Sequence, residues 1–266
     1  MSYLFRELTS PQIRAAAESG TLLLLPLGQT EEHGNHLPVG TDTLIAERVC
    51  RATAERLAGA LPTLVLPSVE YGYSGQEMTR WPGTFTLPTR LVTELLVEVC
   101  KSVHRMGFRK IIIVNAHGHH QNLAIVAARE VCDATDAQVA VVMPNSLIKK
   151  EYAAIRKSKP GGTCHGGEYE TSLIMHFGYD VDLGLTDDRD ILRAGSEFCG
   201  NDMLIGGGRV FWSTWQRQVS HAGIYGDPTV ASAETGRKAF NAIIDQMVAF
   251  CREFHRFQRP RSAERP

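Results

Sequence analysis

The sequence lacks the marks of several protein classes. Its 266 residues carry 28 Lys and Arg against 29 Asp and Glu, a formal net charge of −1. There is no basic footprint for nucleic acid and no acidic tail, so a small or neutral substrate is the default expectation. Six cysteines (Cys50, Cys100, Cys132, Cys164, Cys199 and Cys251) are scattered, with no Cys-x-x-Cys pair. That pattern fits reduced thiols in a cytoplasmic protein. No apolar run is long enough to span a bilayer, so no membrane partner is expected. The N-terminus, Met1-Ser-Tyr-Leu-Phe-Arg-Glu-Leu, has no basic start followed by an apolar core and does not read as a signal peptide. Internal repeats, low-complexity tracts and domain boundaries are also missing. The expectation is one α/β domain over residues 1–258, followed by a solvated tail at 259–266.

What is present is an alternation of strands and helices. Ser10-Pro11 reads as the start of a helix, with serine as its cap, ending near Gly20. Leu22–Leu27 is apolar on both faces, as a central strand of a parallel sheet must be. A helix from Thr43 to about Ala58 follows, with Ile45, Val49 and Ala52 or Thr53 inward and Thr41 or Asp42 as its cap. Leu61–Pro67 reads as a second strand and Pro88 starts another helix, with Leu91, Leu95, Val99 and Val103 as its inner stripe. Lys110–Val114 is a buried strand, then come a helix from Gln121 to about Asp136 and a strand at Val139–Met143. The basic stretch between Asn145 and Gly162 reads as a solvated face. Residues 178–219 are the least legible, with Phe211–Trp215 as a short strand or pocket wall. A long final helix ends near His255. This order predicts an α/β fold with a mostly parallel central sheet between helical layers. In such sheets ligands bind where strands end at their carboxyl side.

Two such strand ends carry histidine-rich loops. Gly28-Gln-Thr-Glu-Glu-His-Gly-Asn-His-Leu-Pro-Val-Gly-Thr-Asp42 follows the first strand, and Asn115-Ala-His-Gly-His-His120 follows the third. Glu31, His33, His36 and Asp42 offer carboxylate and imidazole without thiolate, which suits catalytic zinc, manganese or iron better than structural zinc. Glu31 and His33 share a face if the loop is extended. Asp42 could bridge two ions and His117 could complete the coordination, giving a two-metal hydrolytic site that acidifies a bridging water. His36 reads as a supporting residue. His165 precedes a helix whose first turn holds Glu168 and Glu170. It reads as a proton shuttle, with Glu170 as a ligand or ligand-orienter and Glu168 as a structural helix-start charge. Cys164 has no separate base and does not read as a nucleophile. The aromatic loop 71–84, with Tyr71, Tyr73 and Trp81, reads as the substrate pocket wall.

Glu31-Glu-His-Gly-Asn-His-Leu-Pro-Val-Gly-Thr-Asp42, Trp81-Pro-Gly-Thr84, Asn115-Ala-His-Gly-His119, His165-Gly-Gly-Glu-Tyr-Glu-Thr-Ser172 and Gly223-Ile-Tyr-Gly-Asp-Pro228 resemble the creatininase (creatinine amidohydrolase) family in residue and order. The resemblance implies a three-layer α/β/α domain, two divalent metal ions (zinc, manganese or iron) and a homo-oligomer, a hexamer being favoured. By position, Glu31, His33, Asp42 and His117 fall on metal ligands and His165 on a catalytic histidine. His119 falls on a ligand position with a changed donor, so it or Glu170 is the fifth ligand. Tyr73, Trp81 and His120 are expected at the substrate. Met78 stands where many relatives have histidine, which points to a different substrate. The leading expectation is a hydrolase that cleaves the C–N bond of a small cyclic or linear amide through a metal-bridging hydroxide. The alternatives are a metal-dependent hydrolase of a C–C or ester bond in a ring ketone or lactone, and a metal-binding scaffold without turnover.

Overall fold

A computed structural model describes residues 2–204 and 210–258; the expected tail at 259–266 lies outside the described residues. Helix α1 (Ser10–Glu18) is capped by Thr9, one residue earlier than expected. Thr9 exchanges bonds with Gln12, so the reciprocal pair and not the serine sets the helix start. Strand β1 (Leu22–Leu27) leads to α2 (Thr41–Leu57), and β2 (Thr63–Val65) to α3 (Thr89–Arg105). Strand β3 (Lys110–Asn115), α4 (Gln121–Ala134) and β4 (Gln138–Val142) complete a four-stranded sheet of order β2-β1-β3-β4, parallel throughout. The rest is helical or loop: α5 (Pro144–Leu147), α6 (Lys149–Ile155), α7 (Glu168–His176), α8 (Thr214–Arg217) and α9 (Ala233–Arg256). Among the described residues no helix is long and apolar enough to cross a membrane.

Strand β1 shows why the sheet needs helices on both sides. Leu22 and Leu24 pack into one core with Ile45 and Val49 of α2, Leu173 of α7 and Ile243 and Met247 of α9. Leu23, Leu25 and Leu27 pack into the other with Val92 and Leu96 of α3 and Ala124 and Val131 of α4. Successive side chains of a strand alternate in direction, so an unbroken leucine run feeds two cores at once. The helix after β1 thus covers one face and the helix after β3 covers the other. Between these two adjacent strands the chain leaves in opposite directions, and that divergence opens the crevice where α/β sheets bind ligands.

Three expectations need correction. The inner stripe of α3 is Val92, Leu96, Cys100 and Val103, whereas Leu91 and Leu95 are 44% and 38% exposed. A strict four-residue repeat gains about 40° per step on a helix of 3.6 residues per turn, so the buried stripe must slip back to a three-residue step. Arg156, expected on a solvated face, is in a buried ion pair with Asp202 at 3.0 Å. Of the two readings of Phe211–Trp215, the strand is not formed, whereas Phe211, Trp212 and Thr214 do line a pocket.

Candidate metal centre

Helix α2 begins one residue before Asp42, and its cap position is Gly40, with no side-chain cap bond. Neither Thr41 nor Asp42 caps the helix; the Thr41 hydroxyl donates to the Pro38 carbonyl instead. The Asp42 carboxylate is therefore left for the crevice. Its Oδ1 lies 3.3 Å from His33 Nε2, and its Oδ2 lies 2.7 Å from His117 Nδ1. Glu170 Oε2 approaches His33 Nε2 at 3.9 Å, and Glu31 Oε2 approaches His117 Nδ1 at 3.5 Å. The donors fall into groups that could each hold a cation: His33, Asp42 and Glu170; Glu31, His117 and His119; Glu31, His33 and His165.

The backbone fixes which nitrogen each histidine presents. His33 Nδ1 sits 3.0 Å from the Glu31 carbonyl, His117 Nε2 3.1 Å from the Tyr73 carbonyl, and His165 Nε2 2.8 Å from the Glu32 carbonyl. A carbonyl can only accept, so each of these nitrogens carries the proton and the opposite one faces the carboxylates. This tethering is the usual support of a metal-binding histidine. With these imidazoles neutral and tethered as above, Glu31 Oε1, His33 Nε2 and Asp42 Oδ2 are buried and have no hydrogen-bond partner among the described residues. Orphaned buried acceptors are costly, and a cation among them removes the cost. Two acceptor atoms 2.7 Å apart, as at Asp42 and His117, likewise need a proton or a metal between them. The donor chemistry fits zinc, manganese or iron.

Electrostatics agree. Burial pushes the His33 imidazole down, but Asp42, Glu170 and Glu31 outweigh it and hold it up at about 10. His117 is held up at about 9 against the same burial penalty by Glu31 and Asp42. Burial opposes the charged form of Asp42, yet His33 and His117 hold its carboxyl well below the usual range. Without metal, both imidazoles are protonated near neutral pH, because their folded values lie above it. Metal loading must displace those protons. Zinc or manganese added to metal-free protein near neutral pH should release about two protons per chain. Titration calorimetry in buffers of different ionisation enthalpy would read this directly, and a buffer-independent heat would contradict it.

The other expected residues divide. His36 bonds Thr171 Oγ1 at 3.0 Å, tying the β1 loop to α7, which carries Glu170. Glu168 accepts from the Lys157 and Ser158 amides and the Ser158 hydroxyl, and so has a structural role. Burial pushes the Cys164 thiol up to about 12, which removes the thiolate at neutral pH. A cavity of about 220 Å³ is lined by Glu31, Asp42, His117, His165 and Glu170 on the donor side. Tyr73, Trp81 and His120 are not among its lining residues. His120 is fully buried and accepts the Tyr73 amide proton on Nε2. Gly72 permits this, since a Cβ there would lie 2.1 Å from the His120 ring. Trp81 lines an adjoining pocket. The walls are instead Glu77, Met78, Cys164, Met203, Thr214 and Tyr225. Met78 carried a signal in the sequence as a departure from relatives, Thr214 as part of the expected wall at Phe211–Trp215, and Tyr225 within a family-like motif; Glu77 and Met203 carried none.

Comparison with known proteins agrees with the geometry. The family model described as creatininase, creatinine amidohydrolase, matches residues 6–251. The mycofactocin precursor peptide peptidase of Mycobacterium tuberculosis (strain CDC 1551 / Oshkosh) is 34% identical over 246 residues, 90% of this chain and 87% of that one. The creatinine amidohydrolase of Pseudomonas putida is 31% identical over 187 residues, 64% and 69% of the two chains. The 3-dehydro-scyllo-inosose hydrolase of Thermotoga maritima is 27% identical over 271 residues, 94% and 82%. A crystal structure of creatinine amidohydrolase superposes with a TM-score of 0.75 at 26% identity, covering 95% of this chain and 98% of that one. Matched over most of its length by family model, sequence and fold, the chain belongs to the creatininase family of metal-dependent hydrolases.

Proposed function

We propose that this protein hydrolyses a C–N bond of a small amide at a two-metal centre held by Glu31, His33, Asp42, His117 and Glu170. The observation that carries this reading is the position of Asp42, whose two oxygens face His33 and His117 separately. One carboxylate so placed could serve two neighbouring cation sites. Glu170 is preferred to His119 as the fifth ligand because Glu170 Oε2 faces the His33 lone pair, whereas His119 Nδ1 already accepts the Gly75 amide proton at 3.1 Å. Two divalent ions, when bound, supply Lewis acidity for the substrate carbonyl and acidify a water.

The chain's own residues do the rest. Glu31, Asp42 and Glu170 balance the charge of the ions. Tyr73 and the Glu31 and Glu32 carbonyls fix the imidazole tautomers. His165 lines the cavity with Nδ1 3.6 Å from Glu31 Oε2. Burial lowers its basicity and so does His33, but Glu31, Glu32 and Glu170 raise it further. With Nε2 tied to the Glu32 carbonyl, Nδ1 is the nitrogen that would pass a proton to the leaving nitrogen, which cannot depart as an amide anion. Met78, Cys164, Met203 and Tyr225 supply apolar surface on the opposite wall, beside Glu77 and Thr214.

Chelation should abolish hydrolysis of lactams and primary amides, and zinc or manganese should restore it; full activity in the stripped protein would sink the reading. The Thermotoga relative favours one alternative, cleavage of a C–C or ester bond in a ring ketone or lactone. Turnover of lactones or cyclic diketones in preference to lactams would establish that instead. The peptidase relative admits a peptide amide as substrate as well. A homo-oligomer, a hexamer by family likeness, and a cytoplasmic setting with six free thiols complete the proposal.

A further inference from the structure

Two groups in the cavity stand outside the ligand set proposed above, Glu31, His33, Asp42, His117 and Glu170. His119 lies on the turn Gly118–His120, and its Nδ1 accepts the Gly75 amide proton at 3.1 Å. A neutral imidazole carries one N–H, so with Nδ1 as acceptor the proton sits on Nε2. Among the described residues Nε2 has no hydrogen-bond partner, and Glu77 Oε1 lies 4.0 Å from it, too far for a bond. The Glu77 side chain is 7% exposed, and its Oε2 is buried with no hydrogen-bond partner among the described residues. Gly75 lets the two approach, because a Cβ there would lie 2.5 Å from the Glu77 oxygens. A donor and an acceptor therefore line the same cavity about one group's width apart, and no Lys or Arg is among the lining residues.

A cis amide edge fits between them. In a lactam, a primary carboxamide or a ureido group, the carbonyl oxygen and an N–H lie on the same side, with O and N roughly 2.3 Å apart by standard bond lengths. Hydrogen bonds of about 2.9 Å reach from that edge to a pair 4.0 Å apart. A trans secondary amide turns its N–H away from its carbonyl and offers only one of the two bonds.

We propose that Glu77 and His119 form a recognition pair for the cis N–H/C=O edge of a lactam, carboxamide or ureido group on the substrate. His119 Nε2–H donates to the carbonyl and Glu77 accepts the N–H. This specifies the substrate class of the amide-hydrolase reading and rests on that reading for the site. It also assigns His119 to the substrate and not to the ions.

The test is calorimetric binding to metal-loaded protein of hydantoin, which presents such edges, and of 1,3-dimethylhydantoin, which has no N–H. Hydantoin should bind at least about tenfold more tightly, the effect of one hydrogen bond to a charged partner. Glu77→Met and His119→Phe should each erase most of the preference. His119→Gln, which keeps an N–H donor, should retain part of it, and bound metal per chain should not change. Equal affinity of the two probes, no measurable binding of hydantoin, or metal loss in His119→Phe would overturn the proposal. Hydrolysis is followed in parallel. Preference without turnover of any amide upholds the pair and removes the amide-hydrolase reading; turnover of amides without preference removes the pair alone.

Discussion

Asp42→Asn should lose both metal ions and catalysis in one step, with activity down roughly 10³-fold or more. Asparagine keeps the size of the side chain and one oxygen, so helix α2 and its packing should persist. It cannot present two anionic oxygens to His33 and His117. The remaining donors then carry too little negative charge to hold a pair of divalent ions, and each is left with a ligand missing. Metal analysis of the purified variant checks the claim together with its thermal unfolding. Retention of two ions per chain at unchanged affinity would show that Asp42 is not the bridge.

His165→Ala should behave differently. Metal content should stay at the wild-type value, while kcat for an unactivated amide falls roughly 10²- to 10⁴-fold. The reason is that the proposed ligand set is complete without His165, whose Nδ1 faces the cavity 3.6 Å from Glu31 Oε2 while Nε2 is tethered to the Glu32 carbonyl. The proton it supplies matters in proportion to the basicity of the leaving nitrogen. An anilide with an electron-withdrawing ring, whose amine leaves without prior protonation, should lose far less rate than an alkyl amide. A uniform loss across leaving groups, or a loss of metal, would place His165 among the ligands.

The donor loops could be read from the sequence because metal binding tolerates few residue types, and their position after apolar strands fixes which end of the sheet they occupy. Glu31, His33, Asp42, His117, Glu170 and His165 are brought to one crevice. The walls could not be read in the same way. Met78, Cys164, Met203, Thr214 and Tyr225 come from separate stretches, and nothing in their spacing announces a shared cavity. Tyr73 and Trp81 looked suitable as pocket aromatics, yet the Tyr73 backbone, through its amide and carbonyl, is what touches the histidines. A side-chain pattern carries no information about main-chain acceptors. Arg156 and Asp202 illustrate the same limit, since their partnership spans 46 positions and only the fold reveals it. The parallel sheet with helices on both sides was legible because an apolar run such as Leu22–Leu27 needs a doubly covered strand, whereas the strand order was not.

The imidazoles of His33, His117 and His165 are oriented by main-chain carbonyls, which every residue type possesses. Substitution in the surrounding loops can therefore alter the shape and polarity of the cavity while the electronic state of the donors stays the same. Such a centre can be inherited unchanged by lineages that diverge in what they cut. Relatives named for a peptide, a creatinine ring and an inosose ring are what that separation of reactivity from selectivity would produce.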